Sequence, residues 1–188
     1  GAQQAALSQA TAPNLAPSSS PKLDVQEILL PQARMAVAEN LALAPWLQDA
    51  IAPIERRWVD PEYVRDGTEL AIAEMLRGGV TCFADMQLWP DVVARAAADA
   101  HMRVSVGLVV EQAASRWAAD PNEYIEKGMA LRDEYRGDAL VATHFALEPS
   151  HALEDSTLAR VRRLADELEI PVALPVHESA WEVAESLA

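Results

Sequence analysis

Four short apolar runs alternate with helix-like stretches along most of this chain: VTCFADM at 80–86, RVSVGLVV at 103–110, ALVATHFA at 139–146 and IPVALPV at 170–176. Strand–helix alternation in units of roughly thirty residues predicts right-handed βαβ crossovers and a parallel sheet. The unbroken apolar run at 103–110 suits a strand covered on both faces. Eight such units close a barrel in about 250 residues. This chain supplies four clear units and a fifth, weak strand in EILLP near residue 28. The expected fold class is therefore α/β: a parallel (βα) half barrel of four to five units, ending just inside a helix. An open half barrel has two unpaired strand edges and an apolar inner face, so self-association into a homo-oligomer is expected.

The punctuation agrees. Asp60-Pro61 and Asp120-Pro121 are N-cap and first-turn proline pairs. The first opens a helix with the stripe Val64, Leu70, Ala71, Met75, closed at Gly78-Gly79; the second runs to Tyr135 and breaks at Gly137. Helices are also expected over 32–40, 43–54 with Pro53 near its end, 90–100, 154–168 and from Ala180 onward. VTCFADM is expected to be a buried strand, with Cys82 a small apolar residue inside it. Residues 1–22, rich in Ala, Gln, Ser and Pro, read as a flexible tail. Residues 23–188 form the barrel domain.

Composition removes several function classes. The net charge of -14 excludes a nucleic-acid partner, which needs clustered Lys and Arg, and disfavours a membrane surface. No run of eighteen apolar residues suggests a transmembrane helix. The single cysteine excludes an internal disulfide framework and a cysteine-based zinc site, and a reducing, cytoplasmic compartment is expected. A small-molecule substrate is the partner class left open.

The chemistry converges on PVALPVHESAWEVAESLA at 171–188, a strand that ends in His177-Glu178-Ser179 and turns into a helix. In parallel α/β folds, sites form at this carboxyl edge. WLQDAIAPIERRWV, DPEYVRDGTELAIAEMLRGGVTCFADM, DPNEYIEKGMALRDEYRG and DSTLARVRRLADELEIPVALPVHESAWEVAESL together resemble the amidohydrolase superfamily. The branch is that of the 5-methylthioadenosine/S-adenosylhomocysteine deaminases and their chlorohydrolase relatives. The resemblance runs from about Leu41 to Ala188. It implies a metal-dependent (βα)8 barrel. There a zinc or iron is held by a His-x-His pair on the first strand, single His ligands on the fifth and sixth, and an Asp on the eighth. A Glu three residues after the fifth-strand His moves protons.

By that resemblance, Glu178 matches the proton-moving Glu and His177 the neighbouring, non-ligating His. Pro175 stands at the ligand position, and no histidine precedes His101. Glu148-Pro149-Ser150-His151 replaces the substrate motif His-Ala-Pro-Tyr. Glu55 matches the acidic position used against ribose hydroxyls, with Trp46 on the same segment. No cofactor is therefore expected; zinc enters only if His144, His151 and His177 build a new site.

The candidate catalytic residues are Glu178, His177 and His144. The candidate substrate contacts are Glu55, Trp46, Glu148, His151 and Asp85. Blander roles stay open: His144 as a core histidine bonded to a carbonyl, His151 as a helix-entry loop residue, Asp85 as a turn cap. The function expected is that of a diverged or engineered, hydrolase-like half barrel related to nucleoside deaminases. Its inherited metal-dependent deamination would be lost, and a His/Glu cluster at the strand ends would perform hydrolysis. The alternative is a non-catalytic scaffold or self-assembling barrel fragment.

Overall fold

The computed structural model describes residues 52–176 and 183–184. The order is α1 (Ala52–Trp58), α2 (Pro61–Arg77), β1 (Cys82–Asp85), α3 (Pro90–Asp99), β2 (Arg103–Val110), α4 (Pro121–Glu134), β3 (Val141–Leu147), a 3₁₀ turn (Ser150–Ala152), α5 (Asp155–Leu168) and β4 (Val172–Ala173). The strands form one parallel sheet in the order β1-β2-β3-β4. This is the expected half-barrel architecture. The tail at 1–22, the strand near residue 28, the helix at 32–40 and most of those at 43–54 and after Ala180 lie outside the described residues. Among the described residues no helix is long and apolar enough to cross a membrane.

Both acid–proline starts form as read. Asp60 accepts from the Tyr63 N–H at 2.9 Å, and Asp120 from Asn122 and Glu123 at 2.8 and 3.0 Å. Gly137 ends the α4 segment at φ 84°, a left-handed backbone that favours glycine.

The core lies between the sheet and its helices. Leu108 of β2 packs where Gly128 of α4 comes closest: a Cβ on Gly128 would sit 3.1 Å from the Leu108 Cβ. Strand alternation then turns Val104, Val106, Leu108 and Val110 toward the helices. All four are at least 98 % buried. Their register partners Val141, Thr143, Phe145 and Leu147 share that face. Ser105, Gly107, His144 and Ala146 face the other way, into the concave side that a closed barrel would enclose.

Four expectations change. α2 buries Val64 and Ile72 with Met75 beside them, while Leu70 is 63 % exposed and Ala71 is also exposed. The packed stripe follows 64, 68, 72 and 75, an i, i+4, i+8, i+11 row, so Leu70 falls on the solvent side. β1 is shorter than VTCFADM and half exposed, because it pairs on one side only among the described residues; Cys82 is exposed, not buried. β4 shrinks to two residues between Pro171 and Pro175, neither of which can donate a backbone hydrogen bond. The described helix at Pro53 continues to Trp58 instead of ending there.

Candidate functional site

The concave face and the carboxyl edge of the sheet hold two separate polar groups. The deeper one joins β2 and β3. The Ser105 hydroxyl of β2 lies 2.9 Å from Nδ1 of His144 in β3. Asp85, the last residue of β1, is within electrostatic reach of the same imidazole. His144 is 8 % exposed. Burial pushes its pKa below that of free histidine, partly opposed by Asp85. Burial likewise pushes Asp85 up, against the Gln87 N–H that its carboxylate accepts at 2.9 Å and against His144. Asp85 thus caps the following turn, and His144 is a buried histidine whose bond goes to the Ser105 hydroxyl and not to a carbonyl.

The second group stands at the carboxyl edge. Glu111, the residue after β2, accepts from the Tyr124 hydroxyl at 2.8 Å. Tyr124 is fully buried and lies edge-on to Trp117, ring centroids 5.5 Å apart. Glu148, the residue after β3, accepts from the Gln112 N–H at 2.8 Å. Burial pushes the Glu111 pKa up; the Tyr124 bond opposes that, and the charges of Glu148 and Glu55 push it further up. Glu55 on α1, Glu111 and Glu148 thus converge electrostatically on one rim. Tyr124 is itself held well above the ordinary tyrosine range, by burial first, so its hydroxyl stays a donor.

The structure separates residues that the sequence grouped. His144 and Glu148 lie on one strand line four residues apart, about 13 Å at the rise of a strand. They do not form one catalytic cluster. His151 lies in the 3₁₀ turn three residues past Glu148. Trp46, His177 and Glu178 fall outside the described residues. Glu111, Ser105 and Tyr124 were not anticipated. For Glu111 a signal existed: it follows RVSVGLVV directly, at the carboxyl end of the best-defined strand.

The depressed pKa of His144 has a measurable consequence. The unfolded chain binds its proton more readily, so stability present above pH 6.5 is lost as the pH falls through the depressed folded value. An NMR titration should find the His144 ring titrating below 6.5. A value at or above 6.5 contradicts the buried, neutral imidazole.

A parallel sheet backed by helices, with polar groups gathered at the strand carboxyl ends, is the architecture of part of a (βα) barrel. The chain belongs to the amidohydrolase family, whose profile matches residues 28–188. The 5-methylthioadenosine/S-adenosylhomocysteine deaminase of Saccharophagus degradans is 41 % identical over 152 residues, 81 % of this chain and 34 % of that protein. The crystal structure of an adenosine deaminase from Xanthomonas campestris with bound zinc is 42 % identical, with a TM-score of 0.78 over 84 % of this chain and 36 % of that one. The guanine deaminase of C. acetobutylicum shares the fold at 17 % identity, TM-score 0.67, over 77 % of this chain and 37 % of its own. The chain spans about a third of the length of the relatives it matches. It is a deaminase-related amidohydrolase sequence.

These relationships overturn the expectation of no cofactor, with zinc only in a new histidine site. The family, and a 42 % identical structure with bound zinc, point to a metal cofactor. The residues described here do not make that centre. Among them no group of three or more His, Cys, Asp or Glu could hold a metal ion. Pro175, at the position matched to the fifth-strand ligand, offers no donor atom on its side chain.

Proposed function

We propose that this chain forms the nucleoside-binding wall of a deaminase-related hydrolase, with the acidic rim receiving the sugar. The observation that carries this reading is the convergence of Glu55, Glu111 and Glu148 at the carboxyl edge of the sheet. Ionised carboxylates accept hydrogen bonds from a pair of ribose hydroxyls, and such charge-assisted bonds are roughly twice as strong as neutral ones. The deaminases to which the chain is similar act, by their names, on 5-methylthioadenosine, S-adenosylhomocysteine and adenosine. The substrate class is therefore an adenine nucleoside with free 2′ and 3′ hydroxyls. Hydrolytic proton transfer is assigned to Glu178, with His177 beside it, by their match to the family motif. His144 is not assigned to that step, because it is buried and bonded to the Ser105 hydroxyl.

A binding role without turnover is the second reading. Pro175 favours it, since it removes a ligand that the family's reaction uses. Both readings require the rim to bind nucleoside, and ammonia release from adenosine separates them.

The rim is tested by calorimetric binding of adenosine against 2′,3′-dideoxyadenosine. Each lost charge-assisted bond is worth about 1.5–3 kcal/mol, so the dideoxy compound should bind at least about tenfold more weakly. Glu148→Gln should reduce that preference. Equal affinity for the two compounds contradicts the assignment.

A further inference from the structure

A recess lies beside the acidic rim, joined to it through Gln112, whose N–H donates to Glu148. The amino ends of α4 and α5 and the residue Gln112 enclose a cleft of about 290 Å³. Its polar lining comes from Gln112, Asn122, Glu154, Ser156, Thr157 and Arg160. α5 opens there without a side-chain cap: Glu154 precedes the helix, and its carboxylate accepts from no first-turn amide. The first amides of a helix have no partner within it. Among the described residues the Asp155 and Ser156 N–H groups meet no acceptor elsewhere. At the start of α4, by contrast, Asp120 holds the amides of Asn122 and Glu123.

Thr157 gives an independent sign. Its side chain lines the cleft, is 7 % exposed, and has no hydrogen-bond partner among the described residues. Buried hydroxyls are almost always bonded, so an unbonded one facing a recess indicates an acceptor that is missing from the protein itself. Arg160 stands one turn further along α5. One of its terminal nitrogens donates to the Asn122 side-chain oxygen, and a guanidinium carries five donors. The Gln112 side-chain oxygen accepts from the Glu154 N–H at 3.1 Å, which leaves its NH₂ group as a further donor.

We propose that this cleft binds a phosphate group, either free or as the monoester of a nucleotide. The uncapped amides of α5, the Thr157 hydroxyl and the Arg160 guanidinium would hold its oxygens; the Ser156 hydroxyl donates to the Glu154 carboxylate at 3.4 Å and would have to turn from it to join them. Glu154 opposes this: its carboxylate lines the same recess, and the chain carries a net charge of -14. The site is therefore weak, on the order of 1 mM, and Glu154→Gln should tighten it. The proposal does not rest on nucleoside binding at the rim.

The test uses the full 188-residue chain. Inorganic phosphate is titrated at constant ionic strength while the Asp155 and Ser156 amides are followed by ¹H–¹⁵N NMR. Saturable shifts of these amides are expected. Arg160→Met and Thr157→Val should each weaken binding at least about fivefold, with unchanged circular dichroism; Arg160 lies at the surface, so its variant keeps the test valid if the threonine variant folds poorly. Glu154→Gln should strengthen binding. Adenosine 5′-monophosphate and adenosine, titrated in parallel, separate the two sources: a monoester that binds much tighter than phosphate identifies a nucleotide, and equal affinity identifies free phosphate. Amides that do not shift saturably, or an affinity unchanged in Arg160→Met, would overturn the proposal.

Discussion

Gly107→Val is expected to destabilise the protein by about 3 kcal/mol and to separate Asp85 from His144. Gly107 lies in the middle of β2 on the concave face, beside His144 in the register. A Cβ there would meet the Ala146 Cβ at 2.7 Å, the Asp85 carbonyl oxygen at 2.9 Å and the Met86 Cα at 3.1 Å. Two of these contacts are backbone, which cannot swing away as a flexible side chain can. Relief requires the end of β1 to lift off β2, and Asp85 travels with it. Two readouts follow. Chemical denaturation should show the stability loss, and the His144 titration should move lower still, because Asp85 is the group that opposes the effect of burial. A variant as stable as the parent, with an unchanged His144 titration, contradicts the close approach of the two strands.

Phe145→Ala should cost still more, about 3–5 kcal/mol. Phe145 is fully buried on the helix-facing side of β3. Its neighbours in the register are Leu108 on one side and Val172 on the other. Its backbone N–H donates to the Pro171 carbonyl at 2.8 Å, one of the few bonds that hold the short β4 in place. Removing the ring leaves a cavity at the centre of the sheet–helix layer, which cannot collapse without shifting β3. In a domain of this size the melting temperature should fall by about 10 °C. A loss below about 1 kcal/mol would mean that the core does not lie on this face.

How much of this was legible in the sequence varied with the physical signal. β2 occupies 103–110 as read, because an unbroken apolar run bounded by turns has few alternatives. The starts of α2 and α4 were fixed by one local interaction each, a capping aspartate followed by proline. The edges were harder. VTCFADM is apolar enough for a buried strand, yet β1 keeps four residues and exposes Cys82, since burial depends on a neighbouring strand that composition does not reveal. The α2 stripe was misplaced at Leu70, where an apolar residue alone does not say which face packs.

The candidate site was only partly readable. Asp85, Glu148 and Glu55 were singled out from strand ends and from resemblance. Their grouping was not, because it depends on height along the strands. Two residues on one strand face look adjacent in sequence, yet His144 pairs across the sheet with Ser105, while Glu148 meets the loop after β2. Glu111 follows an apolar strand directly, but a lone carboxylate there belongs to no motif that marks it. Its burial and its bond to Tyr124 arise only when α4 folds back over β2.

The most direct measurement of the central claim is a crystal structure of the chain with adenosine bound. The account predicts the sugar at the carboxyl edge of the sheet, its 2′ and 3′ hydroxyls within about 3 Å of carboxylate oxygens of the Glu55, Glu111 and Glu148 rim. A nucleoside seated elsewhere, or with its hydroxyls turned away from all three carboxylates, would contradict it.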